Sequence, residues 1–129
     1  MTAVDTNILV RLLTGDDTAQ CQKARQVFAR HEVFIPDTVI LETEWVLRYA
    51  YQFPAAAINA AFAKLLGLAN VRIARPDLMA KALEWHRQGL DFADALHLAA
   101  NSKQESFLTF DAKLVKKAKG VSGCRVESP

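Results

Sequence analysis

A chain of 129 residues, 51% apolar and 23% charged, has the length of one domain and hardly two, and its composition excludes a disordered chain. At this length about two-thirds of the unfolded surface is buried on folding, enough for one core. Sixteen basic against fourteen acidic residues leave a net charge of +2, which neither requires nor excludes a nucleic-acid partner and leaves that question to local patches.

In chain order, residues 2–5 (TAVD) read as a short strand ending on an acid, and residues 7–13 (NILVRLL) as an apolar helical segment. Asp16 and Asp17 offer a cap for the next helix, where Ala24, Val27 and Phe28 recur at i, i+3, i+4 spacing. Residues 33–36 (VFIP) form a second strand, and Pro36-Asp37 opens a helix to about Phe53, broken by Pro54. Residues 55–69 make another helix and residues 71–75 (VRIAR) a third strand. Pro76 starts a helix to about Gln88, ended by Gly89, and Asp91 caps the following one. Residues 106–110 (SFLTF) are a fourth strand, Asp111 starts a short basic helix, and residues 124–127 (CRVE) are a candidate fifth strand. Alternating strands and helices predict an α/β fold with a parallel sheet, because parallel neighbours need crossover connections.

Cys21 and Cys124 lie far apart without metal-ligand spacing and are expected to be buried, reduced thiols. No basic stretch followed by an apolar run opens the chain and no apolar run reaches the ~20 residues of a membrane span. The expected location is the cytoplasm.

Open parallel sheets bind ligands beyond the carboxyl ends of their strands. Asp5 and Asp111 each follow a strand directly, Asp94 lies three residues after the cap Asp91, and Glu42 lies in the helix after strand two. Each has an ordinary structural explanation: Asp5 and Asp111 as helix caps, Asp94 as a first-turn acid facing the helix dipole, Glu42 as a solvated residue beside Glu44. Together they suggest more. Asp5 is flanked by Val4, Ile8, Leu9 and Val10, and Asp94 by Phe92, Ala93, Ala95 and Leu96, settings in which clustered carboxylates call for a cation. Carboxylates without a His or Cys cluster favour Mg²⁺ or Mn²⁺ over Zn²⁺.

The segments VDTNILVRLL, LETEWVL, LDFADALHLA and LTFDAKL resemble the four motifs of PIN-domain nucleases, most closely the VapC toxins of bacterial and archaeal toxin–antitoxin pairs. The resemblance runs through essentially the whole chain in the right order and spacing. It implies a single domain over residues 1–129 with a five-stranded parallel sheet flanked by helices. It places the catalytic acids on Asp5, Glu42, Asp94 (rather than Asp91) and Asp111, with Thr6, Asn7 and Thr109 as supporting polar residues. It implies a metal-dependent ribonuclease with Mg²⁺, or Mn²⁺ in its place, on Asp5, Asp94 and Asp111, and Glu42 orienting or deprotonating the attacking water.

The last helix carries Lys113, Lys116 and Lys117, which read as a track for an RNA backbone beside Asp111 or as a solvated charged face. The aromatics Trp45, Tyr49, Tyr51 and Trp85 read as core or interface rather than stacking platforms. His97 is expected to be partly buried, and His31 and His86 to lie on the surface. The resemblance further implies a homodimer silenced by a VapB-type antitoxin. Residues 37–69 carry more large apolar side chains than one core-facing stripe accommodates, so part of that surface should serve an interface. Two rivals compete with this reading. A dehalogenase-like phosphatase needs an aspartate where Asn7 stands. A non-catalytic RNA-binding or scaffold PIN module would gain nothing from four clustered acids.

Overall fold

The computed structural model describes residues 1–121 and 123–129. They form two compact units, Met1–Ala74 and Arg75–Pro129.

The first unit runs β1 (Thr2–Ala3), α1 (Thr6–Thr14), α2 (Thr18–Arg30), β2 (Val33–Phe34), α3 (Asp37–Tyr49), α4 (Ala55–Leu66) and β3 (Val71–Arg72). The strands make a parallel sheet in the order β1-β2-β3, with Thr2 opposite Val33 and Val33 opposite Val71. Asp5 caps α1, and Gly15 closes it at φ 65°, donating its N–H to the Arg11 carbonyl at 3.1 Å. A side chain is strained in that left-handed conformation, so glycine sets the turn into α2. Asp17 caps α2 through the Gln20 N–H at 2.9 Å. Asp16 serves a different purpose. It accepts from Arg11 at 2.7 Å and from the Tyr51 hydroxyl at 2.5 Å, tying the α1–α2 turn to the α3–α4 turn.

Helix α3 ends at Tyr49 rather than near Phe53. Gln52 takes φ 55°, and Pro54 forces its predecessor out of helical geometry. The Phe53 N–H then reaches back to the Leu47 carbonyl at 3.0 Å. Leu9, Val33, Ile35, Ile40, Leu47, Ile58 and Phe62 form the buried centre of this unit. Trp45 and Tyr49 remain 56% and 59% exposed, so the surplus of apolar residues over one stripe is real.

The second unit contains α5 (Pro76–Arg87), α6 (Phe92–Ala100), β4 (Ser106–Leu108), α7 (Ala112–Ala118) and β5 (Arg125–Glu127). Strands β4 and β5 pair in parallel, with Ser106 opposite Arg125 and Leu108 opposite Glu127. Helices α5 and α6 pack closely through buried Met79, Ala82, Phe92, Ala95 and Leu98. The turn between them uses Gly89 at φ 111°.

Three expectations need correction. The strands do not form one five-stranded sheet. Among the described residues they make a three-stranded and a two-stranded sheet, with β1 bonded to β2 and β4 to β5. Alternation in the sequence gives the number of strands, but with only two or three residues each they carry little pattern to choose their neighbours. His86 is not at the surface: it is buried, edge-on to Phe92 with ring centroids 5.4 Å apart. His97, expected to be partly buried, is exposed. Cys21 and Cys124 are buried, as expected.

Phe62 is 1% exposed at the centre of the first unit. Phe62→Ala should lower the unfolding free energy by about 3–5 kcal/mol. Urea titration checks this, and a loss below ~1 kcal/mol would mean that the site is not close-packed.

Candidate active site

Two of the four acids singled out by sequence, Asp5 and Asp111, sit just before helices for a local reason, as does Asp91. An N-terminal turn has orphan N–H groups, and an aspartate before it can accept from them. Asp5 accepts from the Ile8 N–H at 3.4 Å. Asp91 accepts from the Asp94 N–H at 3.2 Å. Asp111 accepts on Oδ1 from the Lys113 and Leu114 N–H groups at 2.9 and 3.2 Å. Capping does not exhaust a carboxylate, whose two oxygens offer about four acceptor positions.

In the first unit, Thr6 is the point of contact between two motifs. Its buried hydroxyl, at the start of α1, donates to Glu42 Oε1 on α3, joining residues 36 apart in sequence. The carboxylate of Glu42 is thus oriented from below while the residue is exposed. Asp5 and Asn7, on either side of Thr6, are exposed as well. The apolar neighbours of Asp5 do not enclose it: Val4, Leu9 and Val10 turn into the core. The neighbouring acid Glu44 behaves oppositely. It is 2% exposed and pairs with Arg48 at 2.9 Å, which its place in a run of polar letters did not reveal.

In the second unit, the half-buried Asp94 carries the perturbed charge. Its carboxyl is pushed above the ordinary aspartate range by burial first, then by the negative charges of Asp91 and Asp111. His97 and Lys117 pull in the opposite direction. Asp94 and Asp111 are therefore electrostatic neighbours, and Asp91 is a third acid in range that sequence reading assigned only to capping. Thr109 steadies this corner by accepting the Asp111 N–H on its hydroxyl at 3.0 Å. Lys117 donates to the Gly89 carbonyl at 3.2 Å, which holds the end of α7 at the α5–α6 turn. Lys113 and Lys116 are exposed on the same helix.

The structure thus joins Thr6 to Glu42, and Asp94 to Asp111, Asp91 and Lys117. Asp5 and Glu42 belong to the first unit, Asp94 and Asp111 to the second. Among the described residues no three His, Cys, Asp or Glu side chains are grouped as a ready metal cage. The donor chemistry nonetheless fits a hard cation. The donors are carboxylate oxygens, and mutual repulsion between Asp94 and Asp111 is what a divalent ion relieves. No helix among the described residues is long and apolar enough to cross a membrane.

The family model for the PIN domain matches residues 2–120, a span that includes all four acids and crosses both units. The chain belongs to the PIN-domain family. A crystal structure similar to this PIN domain is that of Mycobacterium tuberculosis VapC20, described as a sarcin-ricin loop cleaving toxin. The two are 26% identical over 97% of this chain and 99% of the other, with a TM-score of 0.46. No protein of curated function matches the chain.

Because the folded state raises the Asp94 carboxyl, its ionised form destabilises the fold. That penalty is absent below the ordinary aspartate value of 3.8 and grows as pH rises through the folded value. Asp94→Asn should therefore raise the thermal midpoint at neutral pH in chelator, with the gain vanishing as pH falls toward that ordinary value. Thermal scans across this range decide it. A variant less stable than the parent at neutral pH would contradict the electrostatic account.

Proposed function

We propose that this chain is a Mg²⁺-dependent ribonuclease and the toxin of a VapBC-type toxin–antitoxin pair, working in the cytoplasm. The observation that carries the reading is the PIN-domain match over residues 2–120; it is supported by the acids Asp5, Glu42, Asp94 and Asp111 at the positions that the motif resemblance assigns to the site. The toxin assignment rests on the likeness of the four motifs to those of VapC proteins.

In this reading Asp5, Asp94 and Asp111 are the residues that would hold the ion, Mg²⁺ or Mn²⁺ in its place. A divalent ion supplies charge neutralisation at the phosphate and lowers the pKa of an attacking water. Glu42, with Oε1 engaged by the Thr6 hydroxyl, would accept the proton of a water that adds to phosphorus opposite the leaving oxygen. The P–O bond to that oxygen breaks, and a proton from solvent completes the product hydroxyl. Asn7 and Thr109 order the carboxylates around the reacting phosphate. Lys113 and Lys116 meet flanking phosphates from the exposed side of α7. Lys117, anchored at Gly89, adds positive charge beside Asp94.

Two surfaces of the first unit suit partners. A groove of about 390 Å³ between α1 and α4 is lined by Leu12, Leu13, Ala57, Ala61, Leu65 and Leu68. An apolar groove of this kind accepts the hydrophobic face of an antitoxin helix. On α3, the exposed rings of Trp45 and Tyr49 lie tilted against each other with centroids 5.0 Å apart, and we assign them to the contact between two copies of the chain.

Purified protein should cleave single-stranded RNA in Mg²⁺ and stop in chelator. Asp94→Asn should reduce the rate by on the order of 10²–10³, the scale of one lost transition-state charge contact. Expression of the parent, and not of the Asn variant, should arrest growth. Equal cleavage by both proteins would sink the site, and equal growth inhibition the toxin assignment.

The dimer is tested separately. Light scattering at micromolar concentration should give twice the 14.3 kDa of one chain, falling toward one chain in Trp45→Ala. A parent mass of one chain would refute it.

A further inference from the structure

Phe110 is the most exposed large apolar side chain among the described residues, at 91%. Leaving a phenylalanine in water forgoes a substantial burial free energy, so the position calls for an explanation. It is not a frayed end. Residue 109 is held on one side, where its N–H donates to the Glu127 carbonyl at 3.1 Å. Residue 111 is held on the other, by the Thr109 hydroxyl and by its own two capping bonds. The ring is therefore presented by a backbone fixed before and after it, directly beside Asp111.

Asp111 follows it directly, and the chain beyond is basic. Helix α7 begins two residues later and carries Lys113, Lys116 and Lys117, with Lys119 at its C-cap. A second copy of this chain would bring the same lysines against themselves, whereas a polyanion complements them. Positive side chains along a track with an exposed aromatic face are what single-stranded nucleic acid binds, with bases stacking on the ring while phosphates follow the cations. A duplex offers no free base face to such a ring.

We infer that Phe110 is a stacking platform for one unpaired nucleobase of an RNA strand whose cleaved phosphate lies at Asp111, making it a substrate-selecting residue. This rests on the ribonuclease reading. The ring favours substrates in which the base next to the scissile phosphate is unstacked, as in loops and single strands. Because the side chain is almost wholly in solvent, replacing it removes little packing and leaves the fold intact.

The test uses the full chain carrying Asp94→Asn, so that RNA binds without being cut. The probe is a short single-stranded RNA with 2-aminopurine placed at successive positions. One position should be quenched by the protein bearing Phe110, lose its quenching in Phe110→Ala and regain it in Phe110→Trp. Affinity should fall about 5- to 140-fold in Phe110→Ala, equivalent to the ~1–3 kcal/mol of a base–aromatic stack. The slope of log Kd against log salt should stay unchanged in that variant, while Lys113→Met lowers it by about 0.7. Unaltered affinity in Phe110→Ala would overturn the inference. So would Phe110→Leu restoring as much as Phe110→Trp, or a change of oligomeric mass in Phe110→Ala. If Phe110→Ala leaves RNA binding untouched while the parent cleaves RNA in Mg²⁺, the inference falls and the ribonuclease reading stands. If the parent neither binds nor cleaves RNA, both fall.

Discussion

Every helix must find partners for the N–H groups of its first turn, and in this chain that requirement decides where several of the acids stand. Asp5, Asp17, Asp91 and Asp111 each sit one residue before a helix and accept from N–H groups of its first turn. Three of them belong to the motif segments. A carboxylate fixed in this way has a defined position and still has lone pairs to offer. Under the proposed function, structural and chemical duties would fall on the same side chains. An ordinary cap and a metal ligand are not rival explanations for such a residue, since the cap supplies the rigidity that a ligand needs.

The residues that support the acids differ in kind between the two units. Thr6 is buried beneath Glu42 and links α1 to α3 by one hydroxyl. In the second unit the organising force is charge. Asp94 is flanked by Asp91 and Asp111, and His97 and Lys117 offset part of that negative potential. Lys117 does so while holding α7 at the Gly89 turn. A lysine that reads as one of several surface charges thus differs from Lys113 and Lys116 by a single hydrogen bond that only the fold can make.

Exposure separates the aromatic residues in the same way. Trp85 and Phe92 enter the α5–α6 packing, while Trp45, Tyr49 and Phe110 face solvent. The Arg48 guanidinium lies 4.7 Å from the Tyr49 ring centre while pairing with buried Glu44. One arginine thereby satisfies a buried charge and covers part of an open ring, leaving the rest of the Trp45–Tyr49 surface available.

From local sequence alone follow the order and type of the elements, the helix starts at Asp5, Asp91 and Asp111, a cap at Asp16 or Asp17, and the family, because these depend on neighbouring residues: caps, prolines and short motifs act over a few positions. The sequence also showed that residues 37–69 hold more apolar side chains than one core stripe takes. It did not determine which strands pair, because strands of two or three residues carry little register information. Nor did it foresee that His86 packs inside against Phe92, that Glu44 is buried with Arg48, or that α3 stops at Tyr49. Helical periodicity ranks the faces of a helix without saying what covers each one. That is decided by contacts between residues far apart in sequence, such as Thr6 with Glu42 and Asp16 with Tyr51, and those exist only once the chain has folded.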